Sequence, residues 1–229
     1  MKANWYDSAS GGSMELLIVR HGNTFAGGEK VVWVGCGEDP PLTGEGVEQG
    51  LRLGRALAAS GVEPGAIYCG PLRRTRQFAE ILAAELPSAG RPIIDERLKE
   101  IDYGRWAGLT NDEIAERYGD RDLLAWSRES RWPPAGVWGS SEADVRGGIL
   151  RFAEEIRSRH EHGGAVIAVS SNGCIRYFLT VVPGEFERRA AQGALKVRTG
   201  AVCKLSSSGR VFTVSYWNRS PDELRSEDE

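Results

Sequence analysis

The chain has 229 residues, a formal net charge of −3 and an ordinary composition, 41% hydrophobic and 27% charged. That length buries a substantial core as one large domain or two small ones, and the weak negative charge gives no electrostatic case for nucleic acid or an anionic membrane surface. No apolar run approaches the roughly 20 residues that span a bilayer.

Residues 1–13 are polar, rich in glycine and serine, and lack the apolar core of a signal peptide, so a disordered extension or expression remnant is expected, with Met14 a natural start. Glu15–Arg20 is the first strand. A helix follows over Thr43–Ser60, with Thr43 as N-cap, Glu45 in the first turn and Leu51 and Leu57 on the buried stripe. Ala66–Cys69 reads as a short strand, Pro71–Leu86 as a helix and Pro92–Ile94 as another strand. Asn111–Tyr118 and Ser141–His160 look helical, Ala165–Val169 is the clearest strand, and Cys174–Val181 is the helix after it. Ala201–Leu205 and Val211–Tyr216 flank the turn Ser207-Ser208-Gly209 and read as an antiparallel pair. The tryptophan-rich stretch 104–140 reads as an insertion or lid rather than a second domain, and 220–229 as a charged, solvated tail. Strands alternating with helices predict one three-layer α/β/α domain over 14–219 with a mostly parallel central sheet.

Ligands bind outside the carboxyl ends of the strands in such sheets. Three of the predicted strands end in reactive or anion-binding residues. The first ends in Arg20-His21-Gly22, and the chain has only three histidines. An imidazole there can attack an electrophile, and the guanidinium can hold a phosphate by paired hydrogen bonds; a buried structural histidine is the plainer alternative. The second ends in Cys69-Gly70-Pro71-Leu72 and opens a helix carrying Arg73, Arg74 and Arg76, of which at least one must face solvent. The third ends in Ser170-Ser171-Asn172-Gly173 before a helix whose first N–H groups are suited to an anion. A fourth segment, Leu98–Trp106, carries Glu100 among aromatic and apolar residues, where a partly buried acid suits proton donation, although a surface carboxylate is the simpler reading. Cys36, Cys69, Cys174 and Cys203 are widely spaced without a C-x-x-C pair, which points to free thiols in a reducing cytoplasm and to no metal site.

In this order the pieces resemble the histidine phosphatase superfamily, in its phosphoglycerate-mutase-like branch, over about Met14 to Asn218. Arg20-His21-Gly22 matches the family's signature triplet, and Asp39-Pro40-Pro41-Leu42-Thr43 with Gly46 and Gln49 resembles its first helix start. Gly70–Gln77 matches its second arginine motif, and Leu98-Lys99-Glu100 with Tyr103–Gly108 its acid loop. The resemblance implies His21 as phosphate-accepting nucleophile, Glu100 as general acid and base, and Arg20, Asn23, Thr24, Arg74, Ser171 and Asn172 as substrate contacts, with no metal and no cofactor. The fourth motif departs from the pattern, because Ser171 stands where the family has a second active-site histidine, and Ser140 stands where a glutamate is common. His160 and His162 precede their strand and belong at its opposite end.

The expected function is therefore metal-independent hydrolysis of a small phosphomonoester in the cytoplasm. Two alternatives stay open: a phosphoglycerate-type mutase and a catalytically impaired phospholigand-binding protein. Specificity is expected from residues 25–39, including Lys30 and Trp33, and from the tryptophan-rich segment. The oligomeric state, a homodimer included, is left open.

Overall fold

A computed structural model describes residues 13–160, 162–209 and 211–225, so the expectation of an extension over residues 1–12 lies outside the described residues. Six strands form one sheet: β1 (Met14–Arg20), β2 (Pro64–Cys69), β3 (Ile93–Ile94), β4 (Gly164–Ser170), β5 (Val202–Ser208) and β6 (Val211–Arg219), in the order β3-β2-β4-β1-β5-β6. The β2–β3, β2–β4 and β1–β4 pairs are parallel, while β5 runs antiparallel to both β1 and β6. The expected mostly parallel sheet and the late antiparallel pair are both present.

Alternation of side chains along a strand builds the two cores. Leu17 and Val19 of β1, Ile67 and Cys69 of β2, and Ile167 and Val169 of β4 pack under α1 (Gly44–Ala59) and α2 (Arg73–Glu85). Their neighbours Leu16, Ile18, Ala66, Tyr68, Val166 and Ala168 face the other way. That second face is covered by α5 (Glu142–Arg159) and by the segment after β4, together with the tryptophan-rich region. These are the three layers of an α/β/α sandwich.

Thr43 caps α1 by accepting from the Gly46 N–H at 3.1 Å. Gly50 and Gly54 let this helix press against α2, since a Cβ on Gly54 would lie 2.7 Å from the Cβ of Glu85. Short helices were harder to foresee. The tryptophan-rich stretch holds the expected helix α3 (Asn111–Tyr118) and a further one, α4 (Arg121–Glu129). After β4 the chain makes one α turn, α6 (Asn172–Ile175), and continues as 3-10 helix over Arg176–Val181 before α7 (Glu185–Ala191). The expected solvated tail is corrected in part, because Pro221–Arg225 forms α8 and its Leu224 is buried in the core under α1.

Trp138 is the hub of an aromatic cluster on the second face. Its ring lies 4.7 Å from those of Trp126 and Trp132, 4.9 Å from Tyr103 and 5.3 Å from Trp106, all near edge-to-face. Replacing Trp138 by Ala should cost roughly 3–5 kcal/mol. For a chain of this size that lowers Tm by on the order of 10 °C in a thermal melt; a shift of a degree or two would mean the cluster is peripheral to stability.

Candidate active site

The three strands whose ends were expected to converge are adjacent, in the order β2-β4-β1. At their carboxyl edge a cleft of about 990 Å³ is lined by Arg20, His21, Arg74, Glu100, Asn172 and Arg176, among others.

His21 leaves β1 with its backbone N–H on the Ser170 carbonyl at 3.2 Å, and its side chain is 6% exposed. Nδ1 lies 2.7 Å from the Gly22 carbonyl oxygen, which can only accept, so Nδ1 carries the proton and Nε2 the lone pair. Burial, followed by the charges of Arg20 and Arg74, holds the imidazole well below its ordinary pKa. At neutral pH His21 is an uncharged base. The turn that sets it depends on Gly22, because a Cβ there would lie 2.3 Å from the Gly46 carbonyl oxygen at the start of α1. The same junction is tied by the Thr43 N–H donating to the Asn23 carbonyl at 2.9 Å.

Arg20 donates to the Val197 carbonyl at 2.6 Å, and its buried Nε has no partner among the described residues. Arg74 sits in the first turn of α2, buried, donating to the Gly35 carbonyl at 2.7 Å and the Glu38 carbonyl at 3.2 Å. Arg73 and Arg76 are exposed, which selects Arg74 of the three. Arg20 and Arg74 are each anchored by neutral carbonyls, which position a guanidinium without neutralising it.

Glu100 is half-buried on the loop after β3. Its Oε1 accepts from the Ile101 N–H at 2.9 Å and its Oε2 from the Gly173 N–H at 3.3 Å. This corrects one expectation: the Gly173 N–H at the start of α6 is given to Glu100 and not held for an anion. Gly173 is needed for that approach, since a Cβ there would lie 2.3 Å from Glu100 Oε1 and 2.5 Å from the Tyr103 hydroxyl.

Asn23 and Thr24 line the cleft, and Asn23 Oδ1 accepts from the Thr199 hydroxyl at 2.6 Å. Asn172 also lines it, with Oδ1 accepting from the Val197 N–H at 2.9 Å. Ser171 differs. It is 1% exposed, its hydroxyl has no partner among the described residues, and it is not among the residues lining the cleft. Trp33 lines the cleft and donates to Asn111 Oδ1 at 2.8 Å, while Lys30 is taken up by an exposed pair with Glu113 at 2.7 Å. His160 caps the end of α5, away from the cleft. Ser140 accepts from the Asp102 N–H at 3.0 Å, steadying the acid loop. The four cysteines are free, and all but Cys36 are buried. Among the described residues no group of three or more His, Cys, Asp or Glu is placed to hold a metal. No helix among them is long and apolar enough to cross a membrane.

Two residues of the site were missed. Tyr103 and Arg176 line the cleft, and the signal for Arg176 was a single charge inside the apolar run Cys174–Leu179.

An uncharged histidine thus lies beside two arginines held by neutral carbonyls, at the carboxyl edge of a three-layer α/β sheet. The chain belongs to the histidine phosphatase superfamily (branch 1), whose family model matches residues 16–220. It is 30% identical over 187 residues to a 2,3-bisphosphoglycerate-dependent phosphoglycerate mutase of Methylorubrum populi, covering 81% of this chain and 85% of that one. Among solved structures it superposes on Bacillus stearothermophilus YhfR with a TM-score of 0.73 at 27% identity, covering 90% of this chain and 96% of the other. A mycobacterial glucosyl-3-phosphoglycerate phosphatase shares the fold at a TM-score of 0.73 and 23% identity, with 90% and 99% covered.

Gly173→Ala should push Glu100 out of place while leaving the sheet intact. Turnover of an aryl phosphate is expected to fall by about 10²-fold or more, the scale of a lost general acid, with Tm changed by only a few degrees. Unchanged turnover would mean that the Glu100 position is not used.

Proposed function

We propose that this chain is a phosphomonoesterase that works through a phosphohistidine on His21, without a metal ion. The observation that carries the reading is the buried imidazole with its Nδ1 proton fixed on Gly22 and its Nε2 lone pair free, between Arg20 and Arg74. Nε2 attacks phosphorus in line, forming the N–P bond as the P–O bond to the leaving alcohol breaks. Glu100 gives its proton to the departing alkoxide. The two guanidiniums stabilise the charge on the phosphoryl oxygens, an electrostatic contribution that is usually the largest single one. Water then attacks phosphorus, Glu100 takes its proton, and phosphate leaves with the imidazole neutral again.

Ser171 has no part in this scheme. The usual second histidine would add a cationic donor to the phosphoryl oxygens, and a buried hydroxyl outside the cleft lining does not replace it, so a slow chemical step is expected. The mutase reading is kept alive by the names of the curated relatives. Incubation with 3-phosphoglycerate separates the two: release of inorganic phosphate supports hydrolysis, and conversion to 2-phosphoglycerate without release supports the mutase.

Three outcomes are expected. Aryl phosphate hydrolysis should persist in EDTA and disappear in His21→Ala, and the wild type should yield an acid-labile, base-stable phosphoenzyme on quenching; equal rates in wild type and His21→Ala would end the proposal. Ser171→Ala should lower kcat/KM by less than about threefold, against the 10²–10³ that a lost preorganised donor costs; a loss of that larger size would place its hydroxyl on the phosphoryl group. The third concerns pH. The His21 pKa lies below its ordinary value of 6.5, so the nucleophile stays unprotonated as pH falls through that value, and its acid limb in kcat/KM lies below pH 6.5. The unfolded imidazole is protonated first, so the fold loses stability as pH falls below about 6.5, until the folded imidazole is protonated too. Melts of wild type and His21→Asn should diverge over that acid window and run parallel above it.

A further inference from the structure

We infer that Arg176 and Ser130 form a second anion subsite in the cleft, which holds a phosphate or carboxylate carried by the alcohol part of the substrate. This rests on the proposed hydrolysis and names the class of ester it serves: one whose leaving group is itself anionic.

Arg176 lies in a run where Cys174, Ile175, Tyr177, Phe178 and Leu179 are fully buried, and it is itself 5% exposed. A guanidinium in such a place is costly unless something compensates its charge. The groups it bonds and stacks on are neutral. Nε donates to the Asn172 carbonyl at 3.3 Å, one terminal nitrogen donates to the Ser130 hydroxyl at 2.5 Å, and one face stacks on the Trp126 ring at 4.1 Å. No carboxylate among the described residues pairs with it. Of the five N–H groups a guanidinium carries, two are engaged, and the residue lines the cleft. An apolar side chain would cover Trp126 equally well without burying a charge, so packing does not account for the arginine.

Ser130 is the second observation. It ends α4 in the left-handed region at φ 56°, one of two non-glycine residues with positive φ among those described. That conformation favours glycine. The serine is 4% exposed, lines the cleft, and accepts from Arg176, which leaves its hydroxyl proton free to donate. The two side chains together offer a bidentate fork and a hydroxyl donor, the recognition chemistry of a phosphate or carboxylate.

Position assigns the subsite to the leaving group. Arg176 is anchored on the Asn172 carbonyl at 3.3 Å, and the N–H of the next residue, Gly173, donates to Glu100 at 3.3 Å. Arg176 therefore stands beside the proton donor, on the side from which the alcohol departs.

The test uses matched esters with chains of two to six carbons: ω-hydroxyalkyl phosphates, the corresponding alkanediol bisphosphates, and ω-carboxyalkyl phosphates. At the length that spans the two sites, the wild type should prefer one or both anion-bearing esters over the hydroxy ester by about tenfold or more in kcat/KM, mostly through KM. The arm that shows the preference names the anion. Arg176→Met should erase the preference by losing more on the anion-bearing ester than on its hydroxy partner, and Ser130→Gly, which suits the left-handed backbone, should reduce it in the same sense. Should Arg176→Met fail to fold, Ser130→Gly and the wild-type ratios decide the matter alone. Equal efficiency across all pairs in the wild type, or an equal loss on both members of a pair in Ser130→Gly or Arg176→Met, overturns the subsite. Hydroxy-ester hydrolysis that depends on His21 but shows no anion preference removes the subsite alone; hydrolysis indifferent to His21→Ala removes the proposed function beneath it.

Discussion

The place of Glu100 in the cleft depends on how closely the loop Leu98–Ile101 is held to the end of β4. The Ser170 hydroxyl donates to the Leu98 carbonyl at 2.8 Å, the Cys174 thiol to the Lys99 carbonyl at 2.7 Å, and the Gly173 N–H to Glu100 itself at 3.3 Å. Gly70 lets the end of β2 come close to the same loop, since a Cβ there would lie 2.6 Å from the Leu98 carbonyl oxygen. A carboxylate on a loop free to wander would sample many positions. Stitched at three successive residues, this one has few, and such pre-organisation is what the proposed proton donor requires.

The cleft holds several ionisable groups whose states are set by the same burial. An imidazole is kept neutral because a buried cation beside two arginines is unfavourable, while the arginines stay charged because a guanidinium scarcely deprotonates. The result is a site with net positive charge around an uncharged base, waiting for an anion. Backbone carbonyls of Gly35, Glu38 and Val197 aim the guanidiniums without cancelling them.

The central sheet was legible because β1, β2 and β4 are short apolar runs whose two faces are both buried, so their signal is strong and local. The α/β pattern left the adjacency of those three strands as a condition, which the order β2-β4-β1 meets, and with it come His21, Arg74 and Glu100 in one cleft. What escaped was carried by few residues or by space. The helices α4 and α7 are mostly polar and hold on through Leu123, Trp126 and Phe186. Ser171 was expected among the substrate contacts because it stands where the resembled family has its second histidine, and its side chain is buried without a partner among the described residues and is not among those lining the cleft. No spacing rule states whether a hydroxyl reaches past its own backbone. Arg176 sat in plain view, and its meaning depends on its hydrogen-bonding only to neutral groups, a property that only three dimensions display.

The cleft has two walls with separate origins. His21, Arg74 and Asn172 sit at the ends of sheet strands or on the turns that leave them, whereas Trp126 and Ser130 come from a stretch spliced between β3 and β4 and fixed to the rest through the tryptophan cluster. The two walls meet at Arg176, which follows β4 yet bonds Ser130 and stacks on Trp126 of the inserted stretch. Any exchange of the inserted stretch would therefore have to supply that guanidinium with a new hydroxyl and a new ring, so the stretch that shapes one wall is answerable to a residue rooted in the other.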